Sequence, residues 1–192
     1  MESHSILLHV GKHIALTTGE EEIFLSILKP RTIKKKQFLL HENEVCQFSA
    51  FVTIGCLRGY TVDNNGFEHI LQFAPSDWWI SDMYSLISGQ PGRLNIDALE
   101  NTSLLLLYRT DQHKLFTLIP KFERYFRILV ENSLVASRQR VMDNMELTAI
   151  KRYHKFCTVY PSLIHTLPQK LIAAYLGITP EFLSKIKSES PK

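Results

Sequence analysis

The sequence predicts an α+β fold: a jelly-roll β barrel with flanking helices, then a long helix, then a C-terminal helix-turn-helix. Three observations carry that prediction. Between Phe48 and Tyr108, short β-rich runs alternate with turn residues, the pattern of a closed or double-sheet β architecture. From Lys121 to Leu147 there is no Pro or Gly and helix formers dominate, which predicts a single helix of about seven turns. From Leu167 to Lys187, two short apolar periodicities flank Gly177, and Thr179-Pro180 follows almost at once.

In chain order, Glu20 to Leu28 follows two threonines and repeats Ile23, Phe24, Ile27 and Leu28 at helical spacing, so it reads as a leading helix closed by Pro30. Lys34 to Lys36 lies beside the strand-like Phe38-Leu39-Leu40 and is expected to be a solvated edge rather than a nucleic-acid patch. The barrel strands are expected at Phe48 to Ile54, Leu57 to Val62, His69 to Phe73, Trp78 to Ile80, Asn95 to Leu99 and Ser103 to Tyr108. Asp63-Asn64-Asn65-Gly66 separates the second from the third, and its Asn-Gly pair signals a hairpin because both residues tolerate positive φ.

Thr110 to Leu118 reads as a short helix ended by Pro120. In the long helix that follows, Phe122, Phe126, Leu129, Val130, Leu134, Val141 and Met145 form an apolar stripe, interrupted by Ser133, Ser137, Arg138 and Arg140. Such a stripe serves either to pack the helix on its own barrel or to form a dimer seam. Residues 150 to 164 form one more helical segment carrying Lys151, Arg152 and Lys155.

The chain of 192 residues is 45 % hydrophobic and 21 % charged, which leaves room for one well-buried domain and a smaller second one. No run approaches about eighteen apolar residues and the amino terminus lacks the pattern of a secretory signal, so a cytoplasmic protein with no membrane partner is expected. Three widely spaced cysteines argue against a disulfide framework or an iron–sulfur site, and the eight histidines show no metal-ligand spacing.

The tail carries the clearest chemistry. Leu171, Ile172, Tyr175 and Leu176 line one face of a first helix, Ala173 and Ala174 let a second helix approach, and Thr166 to Gln169 fits a capping box. Gly177 ends that helix, Thr179 caps the next, Pro180 opens it and Glu181 complements its dipole. With Phe182, Leu183 and Ile186 pointing inward, the outward face holds Thr179, Pro180, Glu181, Ser184, Lys185 and Ser188. Such a pair is either an ordinary helical hairpin or a DNA reader whose second helix enters the major groove. Charge favours the second: residues 148–192 hold seven Lys and Arg against two Glu, a net of +5, while residues 1–147 hold fifteen against seventeen, a net of −2.

The order of parts, with Phe73-Ala74-Pro75-Ser76-Asp77-Trp78-Trp79-Ile80, Ile119-Pro120-Lys121-Phe122-Glu123 and Pro168 to Leu183, resembles the CRP/FNR superfamily of transcription regulators, in the variety common in Bacteroidetes. The resemblance implies a cyclic-nucleotide-binding-like sensor domain over residues 1–120, a long dimerisation helix over 121–147 and a helix-turn-helix domain over 148–192. It implies double-stranded DNA, a second copy of the chain and RNA polymerase as partners, and no catalysis. By the same resemblance DNA contacts fall on Gln169, Lys170, Thr179, Glu181, Ser184, Lys185 and Lys187. Pro180 stands where many relatives carry a base-reading Arg, and six residues after Ile186 are too few for the β-hairpin wing that many relatives have.

In cyclic-AMP-responsive members, a Phe-x-Gly-Glu run and a later Arg-Ser/Thr-Ala loop hold the nucleotide. Here these positions read Trp79-Ile80-Ser81-Asp82 and Gly92-Arg93-Leu94. The acid is shortened and the phosphate-binding Arg is replaced by Gly92, which removes the bidentate contact that makes a phosphate worth desolvating. Arg93 could substitute only if the loop from Gly89 were remodelled. The cassette is therefore expected not to bind a cyclic nucleotide, and the effector, where one exists, is an unknown small molecule. Its candidate contacts are Ser81, Asp82, Met83, Tyr84, Arg93 and Leu94, with Ser137 on the long helix.

Two other functions fit the same residues. One is a small-molecule-binding module that acts through a protein partner and shows no salt-dependent duplex affinity. The other, a jelly-roll metalloenzyme, needs clustered His and Glu ligands, and the barrel run supplies only His69.

Overall fold

The computed structural model describes residues 2–189. The backbone forms two compact units, the first made of residues up to Thr61 together with Leu71–Leu129, the second of Val62–Ile70 together with residues from Val130 on.

The first unit opens with helix α1 (Glu2–Gly11), which precedes the leading helix expected from the sequence. Ile6 and Val10 are fully buried one turn apart and Ile14 follows them, so one face of α1 is anchored although it is short. Helix α2 (Thr18–Ile27) begins at a complete capping box, in which Thr17 and Glu20 each accept from the other's backbone N–H. Pro30 does more than close this helix. It lies inside strand β1 (Lys29–Ile33), at the edge of its sheet, where a residue without an N–H is tolerated.

The remaining strands are β2 (Phe38–Leu40), β3 (Phe48–Ile54), β4 (Cys56–Val62), β5 (Glu68–Pro75), β6 (Trp79–Ile80), β7 (Asn95–Ala98) and β8 (Thr102–Tyr108). They form two four-stranded sheets, ordered β1-β8-β3-β6 and β2-β7-β4-β5, with antiparallel pairing. Lys34 to Lys36 is an exposed turn between β1 and β2, with Lys36 at φ 68°. The loop after β4 differs from a two-residue Asn-Gly turn: only Gly66 has positive φ, and the Asp63 N–H reaches across to the Phe67 carbonyl. The Asp63 carboxylate accepts from the Asn65 and Phe67 N–H groups, which makes this wider loop as ordered as a tight turn.

Leu104 to Leu107 explains how the layers stack. Leu104 and Leu106 belong to the core between the sheets with Ala50, Val52, Leu57 and Ile96, while Leu105 and Leu107 join a second core with Phe51 and the helices. That second core contains residues of α1 and α2, Leu115 of α4 (Arg109–Leu118), and Phe122 and Tyr125 at the start of α5 (Lys121–Glu146). A strand covered on both faces reads as an unbroken apolar run. On neighbouring strands of one sheet, Arg58 of β4 and Asp97 of β7 form a bidentate pair at 2.8 and 2.9 Å, both buried.

Helix α3 (Met83–Ser88), an element not expected from the sequence, is bounded by Asp82 at its N-cap and by Gly89 at φ 70°. Arg109 donates to the Leu86 and Ile87 carbonyls at its other end.

The second unit contains the later half of α5, the Val62–Ile70 hairpin tip, α6 (Ala149–Val159), α7 (Gln169–Leu176) and α8 (Pro180–Glu189). The helix expected over 150–164 stops at Val159, because Pro161 cannot continue it. The rings of Phe156, Tyr160 and Tyr175 cluster in tilted and edge-to-face contacts with centroids 5.3 to 5.6 Å apart, and Ile172, Leu176, Leu183 and Ile186 are buried in the same unit. The capping box expected at Thr166 to Gln169 is not formed. Pro168 occupies the N-cap of α7 without a side-chain bond, and the Thr166 hydroxyl donates back to Ser162 and Leu163 carbonyls.

Candidate nucleic-acid interface and effector cassette

The turn between α7 and α8 is built by two local devices. Gly177, at φ 67°, ends α7 in the left-handed region, and the Ile178 N–H closes on the Ala173 carbonyl at 3.1 Å. Thr179 Oγ1 then accepts from the Phe182 N–H at 3.2 Å, and Pro180 starts α8 where no N–H is required. Leu183 and Ile186 are buried at 0 % and 1 % exposure and fix α8 against the unit's core.

That leaves Thr179, Glu181, Ser184 and Lys185 exposed on α8, with Lys187 half-buried one turn beyond. Gln169 and Lys170 are exposed in the first turn of α7. Phe182 departs from expectation. It is 46 % exposed, because on a ten-residue helix with Leu183 and Ile186 inward it falls at the margin of the buried stripe. The surface offers an exposed aromatic ring beside Glu181 and Lys185, next to a helix N-terminus whose dipole is positive.

The long helix changes character along its length. Phe122 and Tyr125 are fully buried, and Phe126 and Leu129 are half-buried against the first unit's core. Beyond them Val130, Leu134, Val135, Val141 and Met142 are 44 to 67 % exposed, and Met145 is 82 % exposed. The apolar stripe thus packs on its own barrel only in its first two turns. Ser137 is exposed in this later part, in an open groove with Arg138, Val141 and Met142.

In the effector cassette the polar groups are already paired among themselves. Ser81 Oγ donates to the Phe48 carbonyl at 3.0 Å. Asp82 is 6 % exposed, and its carboxylate accepts from the Ser85 N–H at 3.0 Å and the Leu94 N–H at 3.3 Å. Its Oδ2 lies 2.0 Å from where a Cβ on Gly92 would be, so this carboxylate fills the space a side chain at position 92 would need. Ser85 Oγ donates to the Gln90 carbonyl and accepts from the Cys46 N–H. Leu94 is half-buried against the inter-sheet core, whereas Met83, Tyr84 and Arg93 are exposed. Ser81, Asp82 and Leu94 are gathered in the cassette, and the other three are not.

Sequence spacing did not show the part played by Arg140. Its one signal was that it interrupts the apolar stripe of α5. In the structure its Nη2 donates to the Ile70 and Tyr175 carbonyls, all within the second unit. Among the described residues no group of three or more His, Cys, Asp or Glu side chains is placed to hold a metal ion, and no helix is long and apolar enough to cross a membrane.

No protein-family model matches this chain, and neither does any curated protein. Solved structures do match across most of its length, among them CRP/FNR-family transcription regulators. FixK2 from Bradyrhizobium japonicum is 21 % identical with a TM-score of 0.74, over 85 % of this chain and 84 % of that one. The c-di-GMP responsive global regulator CLP of Xanthomonas campestris is 14 % identical with a TM-score of 0.71, over 90 % and 91 %. The Thermus thermophilus catabolite activator protein is 19 % identical with a TM-score of 0.59, over 91 % and 83 %. At these identities the likeness establishes the fold.

Proposed function

We propose, from the fold shared with the CRP/FNR transcription regulators, that this chain is a cytoplasmic, homodimeric regulator that reads duplex DNA with α8 and has no catalytic role. The observation that carries the reading is the α7–α8 pair. Gly177 and Thr179 build a sharp turn, Leu183 and Ile186 anchor the second helix, and its opposite face presents Thr179, Glu181, Ser184 and Lys185 to solvent.

In that reading, Glu181 accepts from a cytosine amino group and Lys185 donates to guanine O6 or N7. Gln169, Lys170, Lys187 and Lys151 contact phosphates. The exposed apolar residues of α5 from Val130 onward support a dimer seam, because operator half-sites are read by paired copies. Residues 1–120 are the sensor domain, 121–147 the dimerisation helix and 148–192 the DNA-binding domain, with RNA polymerase as a further partner.

The cassette supports a sensor that does not take cyclic AMP. A buried carboxylate, Asp82, already accepts from the Leu94 N–H beside Gly92, so a phosphate placed there would meet a negative charge and no guanidinium. Any effector contacting Met83, Tyr84, Arg93 or Ser137 would have to be of other chemistry.

Selection from a random duplex library by the purified chain, at about physiological salt and with or without cyclic AMP, tests this reading. A two-fold symmetric site, enriched equally in both conditions and lost in Lys185→Glu, is expected. No enrichment in either condition would favour the module that acts through a protein partner, for which exposed Met83, Tyr84 and Ile87 on α3 offer an apolar surface.

A further inference from the structure

On the later half of α5 every residue from Glu131 to Gln139 is exposed, as are Val141 and Met142, but Arg140 is half-buried. Its guanidinium accounts for the difference. Nη2 donates to the Ile70 carbonyl at 2.7 Å and to the Tyr175 carbonyl at 2.8 Å, and the guanidinium carbon lies 3.9 Å from the centre of the Tyr175 ring. Ile70 lies on β5, an edge strand, and such strands present backbone groups that no neighbouring strand pairs. Tyr175 lies in the last turn of α7, where carbonyls have no donor from their own helix and the dipole favours a cation.

One planar cation therefore joins two carbonyls left over by two different elements, and stacks on a ring of the second. The piece it holds on one side is stiff. The Asp63 carboxylate accepts from the Asn65 and Phe67 N–H groups and pairs with His69 at 2.9 Å, so one side chain cross-links the tip from Val62 to Ile70. Beside the guanidinium lies a cavity of about 320 Å³ lined by His69, Asn144, Arg152, Tyr175 and Gly177, so the joint is not locked by close packing all round.

We propose that Arg140 is a positioning residue that latches the 62–70 hairpin tip to α7, so that displacement of the tip moves the helix-turn-helix and changes its affinity for DNA. The inference rests on the reading of α7–α8 as the DNA reader. Within the second unit, the position of the tip is thus passed to α7 through the Arg140 guanidinium, without any change in the apolar face of α5.

The test uses the full chain and two substitutions, Arg140→Gln at the latch and Asp63→Ala within the tip. Hydrogen exchange is expected to speed up about tenfold in Arg140→Gln, both at the tip amides and at the last turn of α7, while amides of α6 keep their rates. Arg140→Lys should behave as Arg140→Gln, since an ammonium lacks the planar fork that spans both carbonyls and stacks on Tyr175. Against a duplex recovered by selection, Asp63→Ala should weaken binding about fivefold in the parent chain and have no further effect in the Arg140→Gln background. Additive losses, or an unchanged tip exchange rate in Arg140→Gln, would overturn the latch. A parent chain that binds no duplex while the exchange result holds would instead remove the DNA reading and leave the mechanical link between tip and α7 standing.

Discussion

Removing the Tyr125 hydroxyl probes a polar junction that ties α1, β6 and α5 together in the first unit. The side chain is fully buried, its Oη accepts from Trp79 Nε1 at 2.9 Å, and His9 Nδ1 lies 2.8 Å from the same oxygen. An indole N–H can only donate, so the phenol proton is left to go to His9 Nδ1, and in that arrangement His9 is neutral with its proton on Nε2. That assignment agrees with His9 having its pKa lowered from 6.5 to about 4, chiefly by burial, with Lys12 and His13 adding to the effect.

Tyr125→Phe keeps the ring, including its edge contacts with Phe122 and Phe126, and removes one oxygen. Two hydrogen bonds are lost and the Trp79 donor, half-buried, recovers only part of its hydration, so the cost is about 2 kcal/mol. For a chain of this size that lowers Tm by roughly 4–8 °C.

The pH dependence follows with a definite sign. An unfolded His9 takes up a proton as pH falls through 6.5, whereas the folded one does so only near 4, so its contribution is complete above 6.5, declines between the two values and is flat below. The full shift would amount to about 3 kcal/mol, and partial exposure of the ring reduces it to roughly 1–2 kcal/mol. Urea unfolding followed by tryptophan fluorescence at pH 7.5 and pH 4.5 measures both effects. A Tyr125→Phe variant within about 0.5 kcal/mol of the parent at pH 7.5 would refute the argument, as would a His9→Gln variant with undiminished loss of stability on acidification.

Other consequences are as concrete. Leu134→Glu with Val135→Glu, at sites 52 % and 67 % exposed in the single chain, should convert a dimer to monomer in sedimentation without altering the far-ultraviolet spectrum. Gly92→Ala should destabilise the first unit by roughly 2 kcal/mol, since its Cβ would fall 2.0 Å from Asp82 Oδ2; Gly92→Ala combined with Asp82→Ala should lose less than the two changes added together. Cys56, buried and with its thiol pushed up to about 12 by desolvation, should resist iodoacetamide at pH 8 until the chain unfolds, as mass spectrometry of digests would show.

What could be read from the sequence depended on how local the controlling interactions are. The α7–α8 turn was legible because Gly177, Thr179 and Pro180 act within four residues of one another. The strands from Phe48 to Tyr108 were legible through their composition and the turns between them. Helix α3 has only six residues, too short for a period to be seen, and β1 was hidden by Pro30, which a sheet edge accepts. Phe182 lies at the margin of a buried stripe narrower than its apolar pattern suggests, and at Thr166 a competing local bond to the Ser162 carbonyl replaces the expected box. In the cassette, the shortened acid was visible at Asp82, but its turn onto the Leu94 N–H depends on a loop twelve residues away. Arg140 was least legible, because its two acceptors lie 70 and 35 residues distant.

The four consecutive leucines of β8 raise a question of alignment. In most strands a slip of one residue would turn apolar side chains to the wrong side and be strongly disfavoured. Here Leu104 and Leu106 face one core and Leu105 and Leu107 the other, so a slip would exchange like for like. Apolar patterning is thus indifferent to which pairing β8 adopts, and discrimination falls to the polar positions next to the run. Thr102, buried at 1 % exposure, donates to the Glu100 and Cys56 carbonyls, and Thr53 donates to the Ser103 carbonyl at 3.0 Å. A slipped strand would carry the Thr102 hydroxyl out of reach of the Cys56 carbonyl and leave the Thr53 hydroxyl without the acceptor it has now. Two threonines, by requiring specific acceptors, distinguish the correct alignment of an otherwise degenerate strand.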